Sequence, residues 1–170
     1  TGVSSGGALM NTGNAATYSG LITLGSASSI VGGTGSIAIT NAGTISGSGF
    51  ALTLGGAQGG SLASIVGTGS GTLTKTDAGT WTLSGASTYT GLTTVSAGTL
   101  KLGAAGGATN TPLGTTGAGT TVSSGAALDL NGFTLGTAEA LTLNGTGVSS
   151  GGALMNTGNA ATYSGLITLG

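Results

Sequence analysis

The stretch Gly71–Gly103, GTLTKTDAGTWTLSGASTYTGLTTVSAGTLKLG, has the clearest strand pattern of this chain. Its apolar side chains stand in alternating pairs, first Trp81 and Leu83 and then Leu100 and Leu102, with one residue inside each pair. Alternation of this kind places both apolar side chains on one face of a β-strand. Thr fills most of the intervening positions, and its branched side chain suits an exposed strand face. The stretch therefore predicts a series of short strands.

The same alternation continues along the chain and predicts an all-β protein with one apolar column inside it. Helical spacing is nowhere sustained, and each of the 39 Gly would cost a helix about 1 kcal/mol relative to Ala. The expected core column consists of Ile22, Leu24, Ile37, Ile39, Leu52, Leu54, Leu83, Leu100, Leu102, Leu128, Leu130, Leu141 and Leu143.

Many short strands in a row fit two architectures, an antiparallel sandwich or barrel and a parallel β-solenoid. The solenoid is favoured because the segments are very short and turns follow every few residues. Hairpin signals are also few, since Asn131-Gly132 and Asn144-Gly145 are the only Asn-Gly pairs in the sequence. Stacked coils of roughly 20–25 residues, a length typical of solenoid repeats, predict about six or seven coils in residues 1–145.

The chain ends by repeating its own beginning, because residues 146–170 are identical to residues 1–25. The offset of 145 residues predicts that 1–145 is one unit of a tandem array and that 146–170 is the first coil of the next unit. A solenoid continues through such a boundary without a break, since each coil needs only its neighbours. We therefore expect the partner of this chain to be itself, through end-to-end stacking of repeats and through lateral bundling of its neutral, Thr-rich sides.

Composition excludes several classes of function. Charged residues make up 3% of the chain, His and Cys are missing, and the two cations are Lys75 and Lys101. There is no basic patch for nucleic acid and no apolar run of transmembrane length. A Ser-His-Asp triad or thiol chemistry cannot be built. Asp77 and Asp129 are expected at solvated turns rather than as a catalytic pair, so we expect no enzyme, no cofactor and no metal site.

Aromatic residues are the candidates for a binding site. Trp81, Tyr89, Tyr18 and Tyr163 would stack on glycans if their rings were clustered on one exposed face. Packing in a wall or a turn is the favoured interpretation of each ring. Asn144-Gly145-Thr146 forms a glycosylation sequon, which is expected by chance at this composition.

Within Gly71–Gly103, the segments KT-x-AGTWTLSG, TYTG-x-TTV and AGTLKLG resemble the passenger-associated transport repeat of bacterial autotransporters. Two positions depart from the pattern, because Asp77 and Leu92 stand where the family usually has Gly. The resemblance implies a right-handed parallel β-helix that is secreted across a Gram-negative outer membrane and lies outside the cell or on its surface. It also implies that the repeat assists folding during secretion.

These observations favour a structural role, as a repeat of a long secreted fibre or surface stalk. The alternative is an adhesin that binds surface glycans or neighbouring cells, which would require exposed aromatic rings on one face. An enzyme comes third and would require a groove that joins Asp77, Asp129 or Glu139.

Overall fold

The structure is a computed structural model and describes residues 7–170. Short parallel strands stack as a β-solenoid of about six turns, and this confirms the predicted fold class over the antiparallel alternative. In each turn the chain passes along three faces, here called wall A, wall B and wall C. Within walls A and B, each strand except those at the ends pairs in parallel with the strand one turn before it and the strand one turn after it. The architecture therefore consists of two continuous ladders, on walls A and B, and a less regular third face around one shared interior.

Wall A is the longest ladder. Its strands are β1 (Leu9–Asn11), β3 (Ser28–Gly32), β6 (Leu52–Gly55), β9 (Leu73–Lys75), β11 (Thr93–Val95), β15 (Thr120–Val122), β17 (Leu141–Leu143) and β19 (Ile167–Leu169).

Wall B follows wall A in every turn. Its strands are β2 (Ala16–Tyr18), β4 (Ile37–Ile39), β7 (Gly59–Leu62), β10 (Thr80–Leu83), β12 (Gly98–Leu102), β16 (Ala126–Asp129) and β18 (Leu154–Met155).

Wall C closes each turn and is the least regular face. It contains the paired strands β5 (Thr44–Ser46) and β8 (Ile65–Gly67), together with isolated bridges. Two of these bridges join Thr23 to Ser46 and Leu135 to Tyr163. A short antiparallel hairpin, β13 (Asn110–Thr111) with β14 (Gly114–Thr115), packs into this face with Thr111 and Leu113 buried, and a 3-10 helix spans Val148–Ser150.

The interior column arises directly from the alternation in the sequence. In Ile37–Ile39 and Leu141–Leu143, the two outer residues are buried and the middle residue is half-buried. All members of the expected column are buried except Ile22, which is half-buried against it. Ile45 and Leu73 belong to the same cluster. Burial of this kind stabilises each coil, because removing one large apolar side chain from water contributes roughly 1.5–3 kcal/mol.

Coil length varies much more than a simple repeat would suggest. The register partners Thr80 and Thr99 are 19 residues apart, whereas Gly98 and Ala126 are 28 apart. The longer coil accommodates the β13–β14 hairpin. The extra residues are taken up between wall B and wall A, partly as the buried turn of this hairpin, so walls A and B keep their registers.

The two identical segments lie on different walls. We call residues 1–25 the N-terminal copy, described from Gly7 onward, and residues 146–170 the C-terminal copy. The N-terminal copy passes through wall A with β1, wall B with β2 and wall C with Thr23. The C-terminal copy passes through wall B with β18, wall C with Tyr163 and wall A with β19. Equivalent residues of the two copies are therefore displaced by one wall.

Candidate functional site

Two of the four aromatic candidates are wholly inside the solenoid. Trp81 and Tyr89 have no exposed surface. The Trp81 indole Nε1 donates to the Gly55 carbonyl oxygen at 3.0 Å, and the Tyr89 hydroxyl lies 2.7 Å from Thr93 Oγ1. Both rings thus satisfy their polar atoms inside the core, as buried Trp and Tyr usually do. Neither ring can stack on a sugar, so Trp81 and Tyr89 are wrong as candidates for glycan binding.

The other two candidates lie at opposite ends of the stack. Tyr18 is in the first described coil and is 38% exposed. Tyr163 is in the last coil, is half-buried, and donates its hydroxyl to the Glu139 carbonyl oxygen at 2.8 Å. The four rings therefore do not form one platform.

Both ends of the solenoid present apolar surface. The first described coil borders an open cavity of about 320 Å³ lined by Leu9, Tyr18, Ile22 and Leu24 among others. At the other end, the final strand carries Leu169 with 79% of its surface exposed. Coil ends of this kind expose both apolar side chains and unpaired backbone groups, which a further coil would cover.

The junction between the C-terminal copy and the preceding coil contains a carboxylate on the outer face of wall B. Asp129 Oδ1 accepts from the Thr157 amide at 3.0 Å, and Oδ2 accepts from Thr157 Oγ1 at 2.6 Å. Lys101 Nζ lies 3.3 Å from Oδ2. Burial alone would raise the pKa of Asp129, but hydrogen bonds from Thr157, Asn131 and Lys101 outweigh it and lower that pKa. The expectation of a solvated turn position is wrong for this residue, because the following coil covers it to 2% exposure.

A second acidic residue lies beneath the C-terminal copy, on the inside. Glu139 is fully buried, with Thr120 Oγ1 donating to its Oε1 at 2.6 Å. Thr111 Oγ1 lies 3.5 Å from Oε2. Burial raises the pKa of Glu139 to about 7, and the two threonine hydrogen bonds oppose that rise. The carboxyl is held by neighbouring hydroxyls and has no exposed surface.

The backbone turn at the junction is the same in both copies. Asn11 Nδ2 donates to Asn14 O at 2.6 Å, and the equivalent Asn156 Nδ2 donates to Asn159 O at 2.7 Å. In the C-terminal copy, Asn156 Oδ1 also accepts from the Gly132 amide of the preceding coil at 2.7 Å. The turn is thus a local feature of the sequence, whereas its contact with Gly132 depends on the coil below.

Lys75 is a buried cation that was not among the candidate residues of the sequence analysis. It is fully buried, and its Nζ donates to the backbone oxygens of Thr76, Asp77 and Ala97 at 2.6, 2.7 and 3.0 Å. Burial lowers its pKa to about 8, and the nearby Asp77 charge opposes that shift. Its alternation with Leu73 was the signal that it points inward. Three carbonyls satisfy the ammonium, so this lysine joins two coils and is not a free nucleophile.

Asp77 occupies a turn with positive φ of 62° and remains exposed. Its Oδ2 accepts from the Gly56 amide one turn below at 2.7 Å. The three carboxylates therefore serve separate contacts with neighbouring coils. Over residues 7–170 the structure contains no cluster of three or more metal-ligating side chains and no helix long and apolar enough to cross a membrane.

Comparison with protein families identifies a match within the stretch Gly71–Gly103. Residues 73–102 match the family model of the passenger-associated transport repeat, which confirms the resemblance noted over Gly71–Gly103. The matched residues run from β9 to β12 and include the buried Lys75, Trp81 and Tyr89. Neither the curated proteins nor the solved structures gave a significant match. The family match and the parallel solenoid together fit a repeat of an autotransporter passenger β-helix.

Proposed function

We propose that this chain is a structural repeat of a secreted bacterial β-helical fibre or cell-surface stalk, in which successive repeats stack end to end. The observation that carries the proposal is the backbone pairing of the C-terminal copy. Its strand β18 continues wall B on β16, and its strand β19 continues wall A on β17. A segment that repeats the beginning of the chain thereby extends the ladders already present.

The mechanical role follows from how such a stack resists separation. Parallel ladders run along the axis on walls A and B, and the apolar column fills the interior. Pulling one coil from the next would break a row of backbone hydrogen bonds and expose buried side chains together. Stacking also covers the strand edges at each end, which would otherwise remain free to pair with other chains.

A secreted or surface location is supported by the passenger-associated transport repeat. Contacts between neighbouring coils are local in the sequence, so coils can form one after another as the chain emerges. The low charge of the chain fits transport in an unfolded state and also favours lateral association of finished fibres.

The adhesin alternative receives less support. Of the four aromatic candidates, Trp81 and Tyr89 are buried and Tyr163 is engaged with Glu139. Tyr18 alone among them keeps a substantially exposed ring, and one ring at a coil end is not an aromatic platform.

The proposal is tested with chains of one, two and three repeats of residues 1–145, each ending in residues 146–170. Electron microscopy should show rods that lengthen by about 30 Å per added repeat, since about six turns rise by ~4.8 Å each. Circular dichroism should show that the number of strand residues per chain grows in proportion to the number of repeats. Rods of constant length, or strings of separate compact particles, would contradict end-to-end stacking.

A further inference from the structure

We propose that successive repeats are advanced by one-third of a turn about the solenoid axis, so that a given segment lies on wall A, wall B and wall C in successive repeats. This inference deepens the proposed end-to-end stacking and rests on it. It identifies the surface on which the next repeat docks and the residues that fix its rotation.

The offset follows from counting strands along wall A. From β1 to β17 there are seven wall A strands, and they are separated by six turns. Leu154, the equivalent of Leu9, lies one wall further on, in β18 of wall B. The repeat of 145 residues therefore spans six and one-third turns, with Tyr163 on wall C and β19 on wall A completing the shift.

The rotation leaves the pairing inside each repeat unchanged. Leu9 pairs with Ile30, and Ala16 pairs with Ile37, each 21 residues further along the chain. If Leu154 begins on wall B, the residue 21 positions beyond it also lies on wall B. It then pairs with Leu154 as Ile30 pairs with Leu9. Every later coil follows by the same rule, so the whole unit turns as one body.

Polar and steric contacts at the junction fit this rotated placement. Thr157 reaches both carboxylate oxygens of Asp129, and Tyr163 reaches the Glu139 carbonyl. The first contact uses the Asp129 carboxylate, and the second uses only the backbone carbonyl of Glu139. The Thr157–Asp129 contact needs the copy to enter on wall B, because Asp129 lies in that wall.

Two glycines of the copy make the same placement possible. A Cβ on Gly158 would overlap the backbone of Asn131, and a Cβ on Gly165 would overlap the backbone of Glu139. The equivalent Gly13 has open space, with the nearest atom, Asn11 Oδ1, at 3.9 Å from such a Cβ. We infer that Asp129, Glu139, Gly158 and Gly165 set the rotation of one repeat on the next.

The rotation has a consequence for contacts between fibres. Any exposed strip of the repeat recurs on the same side only after three repeats and appears on the other two sides in between. One fibre can then contact identical fibres on three sides, which favours bundles over flat ribbons.

Pairs of nitroxide labels test the offset on the 170-residue chain, which has no native Cys to interfere. The first pair is Thr142→Cys with Thr168→Cys, which are register partners in wall A. The second pair is Thr142→Cys with Met155→Cys, which would be partners if a repeat held a whole number of turns. A reference pair, Thr94→Cys with Thr121→Cys, joins register partners in the middle of the stack.

Adjacent register partners lie ~4.8 Å apart across the ladder, so their labels should show strong spin exchange in the electron paramagnetic resonance spectrum. We expect exchange in the reference pair and in the Thr142–Thr168 pair, and none in the Thr142–Met155 pair. Exchange in the Thr142–Met155 pair would overturn the one-third turn and leave end-to-end stacking intact. Exchange in the reference pair alone would overturn both proposals, because the last coil would then not be stacked.

Discussion

The N-terminal and C-terminal copies have the same sequence, yet they differ in wall, burial and contacts. Leu24 is 6% exposed, whereas the equivalent Leu169 is 79% exposed. Tyr18 is exposed beside a cavity, whereas Tyr163 donates a hydrogen bond to the preceding coil. Their Asn turns have the same internal hydrogen bonds. Local sequence thus fixes the turn, and the neighbouring coil fixes the wall.

The cause lies in what each copy stacks on. Strand β1 pairs with β3 of the next coil, and β18 pairs with β16 of the preceding coil. In a solenoid, stability comes from each coil and its interfaces with the next, so a copy takes the position that its neighbour offers. Variants at equivalent positions of the two copies can therefore break or sharpen this contrast.

The largest effect is expected from the buried leucine of the N-terminal copy. Leu24→Ala removes a buried side chain from the core cluster and should lower the free energy of unfolding by about 2–5 kcal/mol. Leu169→Ala, the matched control, should change it by no more than about 0.5 kcal/mol because that side chain is exposed. Urea unfolding monitored by circular dichroism measures both. Equal losses in the two variants would show that the copies share one environment.

A pH dependence should come from Glu139, whose buried carboxyl accepts from Thr111 and Thr120 and whose backbone carbonyl accepts from Tyr163 of the C-terminal copy. Its pKa is about 7 in the folded chain against an ordinary value of 4.5. Between these two values the unfolded chain has released the proton that the folded chain retains, so stability should fall as pH rises from about 4.5 to about 7. The loss approaches about 3 kcal/mol at pH 8.

Urea midpoints of the wild-type chain and of Glu139→Gln between pH 4.5 and pH 8 provide the measurement. The Gln variant should lack this fall, because its amide does not titrate. Asp129 acts in the opposite direction, since its lowered pKa stabilises the fold above its ordinary range and that contribution is lost in acid. Parallel profiles for the two proteins would rule out Glu139 as the source.

A smaller effect is expected from a methyl group at the junction. Gly158→Ala places a Cβ against the Asn131 backbone and should cost about 1–3 kcal/mol while loosening the C-terminal copy. Gly13→Ala should be nearly neutral, because its Cβ enters open space. Native-state hydrogen exchange of the β19 amides measures the loosening. Unchanged protection in Gly158→Ala would mean that the two backbones do not approach closely.

The smallest effect concerns one hydroxyl. Tyr163→Phe removes the donor to the Glu139 carbonyl and should cost about 1 kcal/mol, whereas Tyr18→Phe should have little effect. Unfolding midpoints of the two variants provide the comparison. A loss in Tyr18→Phe that matched the loss in Tyr163→Phe would contradict the difference between the copies.

Strand positions could be predicted from the sequence because they depend on alternation alone. Ile37 with Ile39 and Leu100 with Leu102 are buried as their spacing required. The repeat in Gly71–Gly103 could be recognised because its motif is dense, and residues 73–102 match the family model.

The walls of the two copies could not be predicted, because identical residues carry no information about which coil lies beneath them. Coil length varies at the corners, and the insertion around the β13–β14 hairpin changes the count without changing any alternation. The burial of polar residues could be predicted from the sequence only in part. Glu139 alternates with Leu141 and Leu143 and therefore points inward, whereas Asp129 points outward and is covered by side chains of neighbouring coils, Lys101 and Thr157.

The central claim is a continuous stack in which each repeat is turned by one-third of a revolution, and cryo-electron microscopy of a three-repeat array tests it most directly. The reconstruction should place the second copy of Leu9 on wall B and the third on wall C, with the original view recurring after about 90 Å, since three repeats rise by about 19 coils of ~4.8 Å. A reconstruction in which every copy of Leu9 lies on wall A, with the view recurring after each repeat, would contradict the claim.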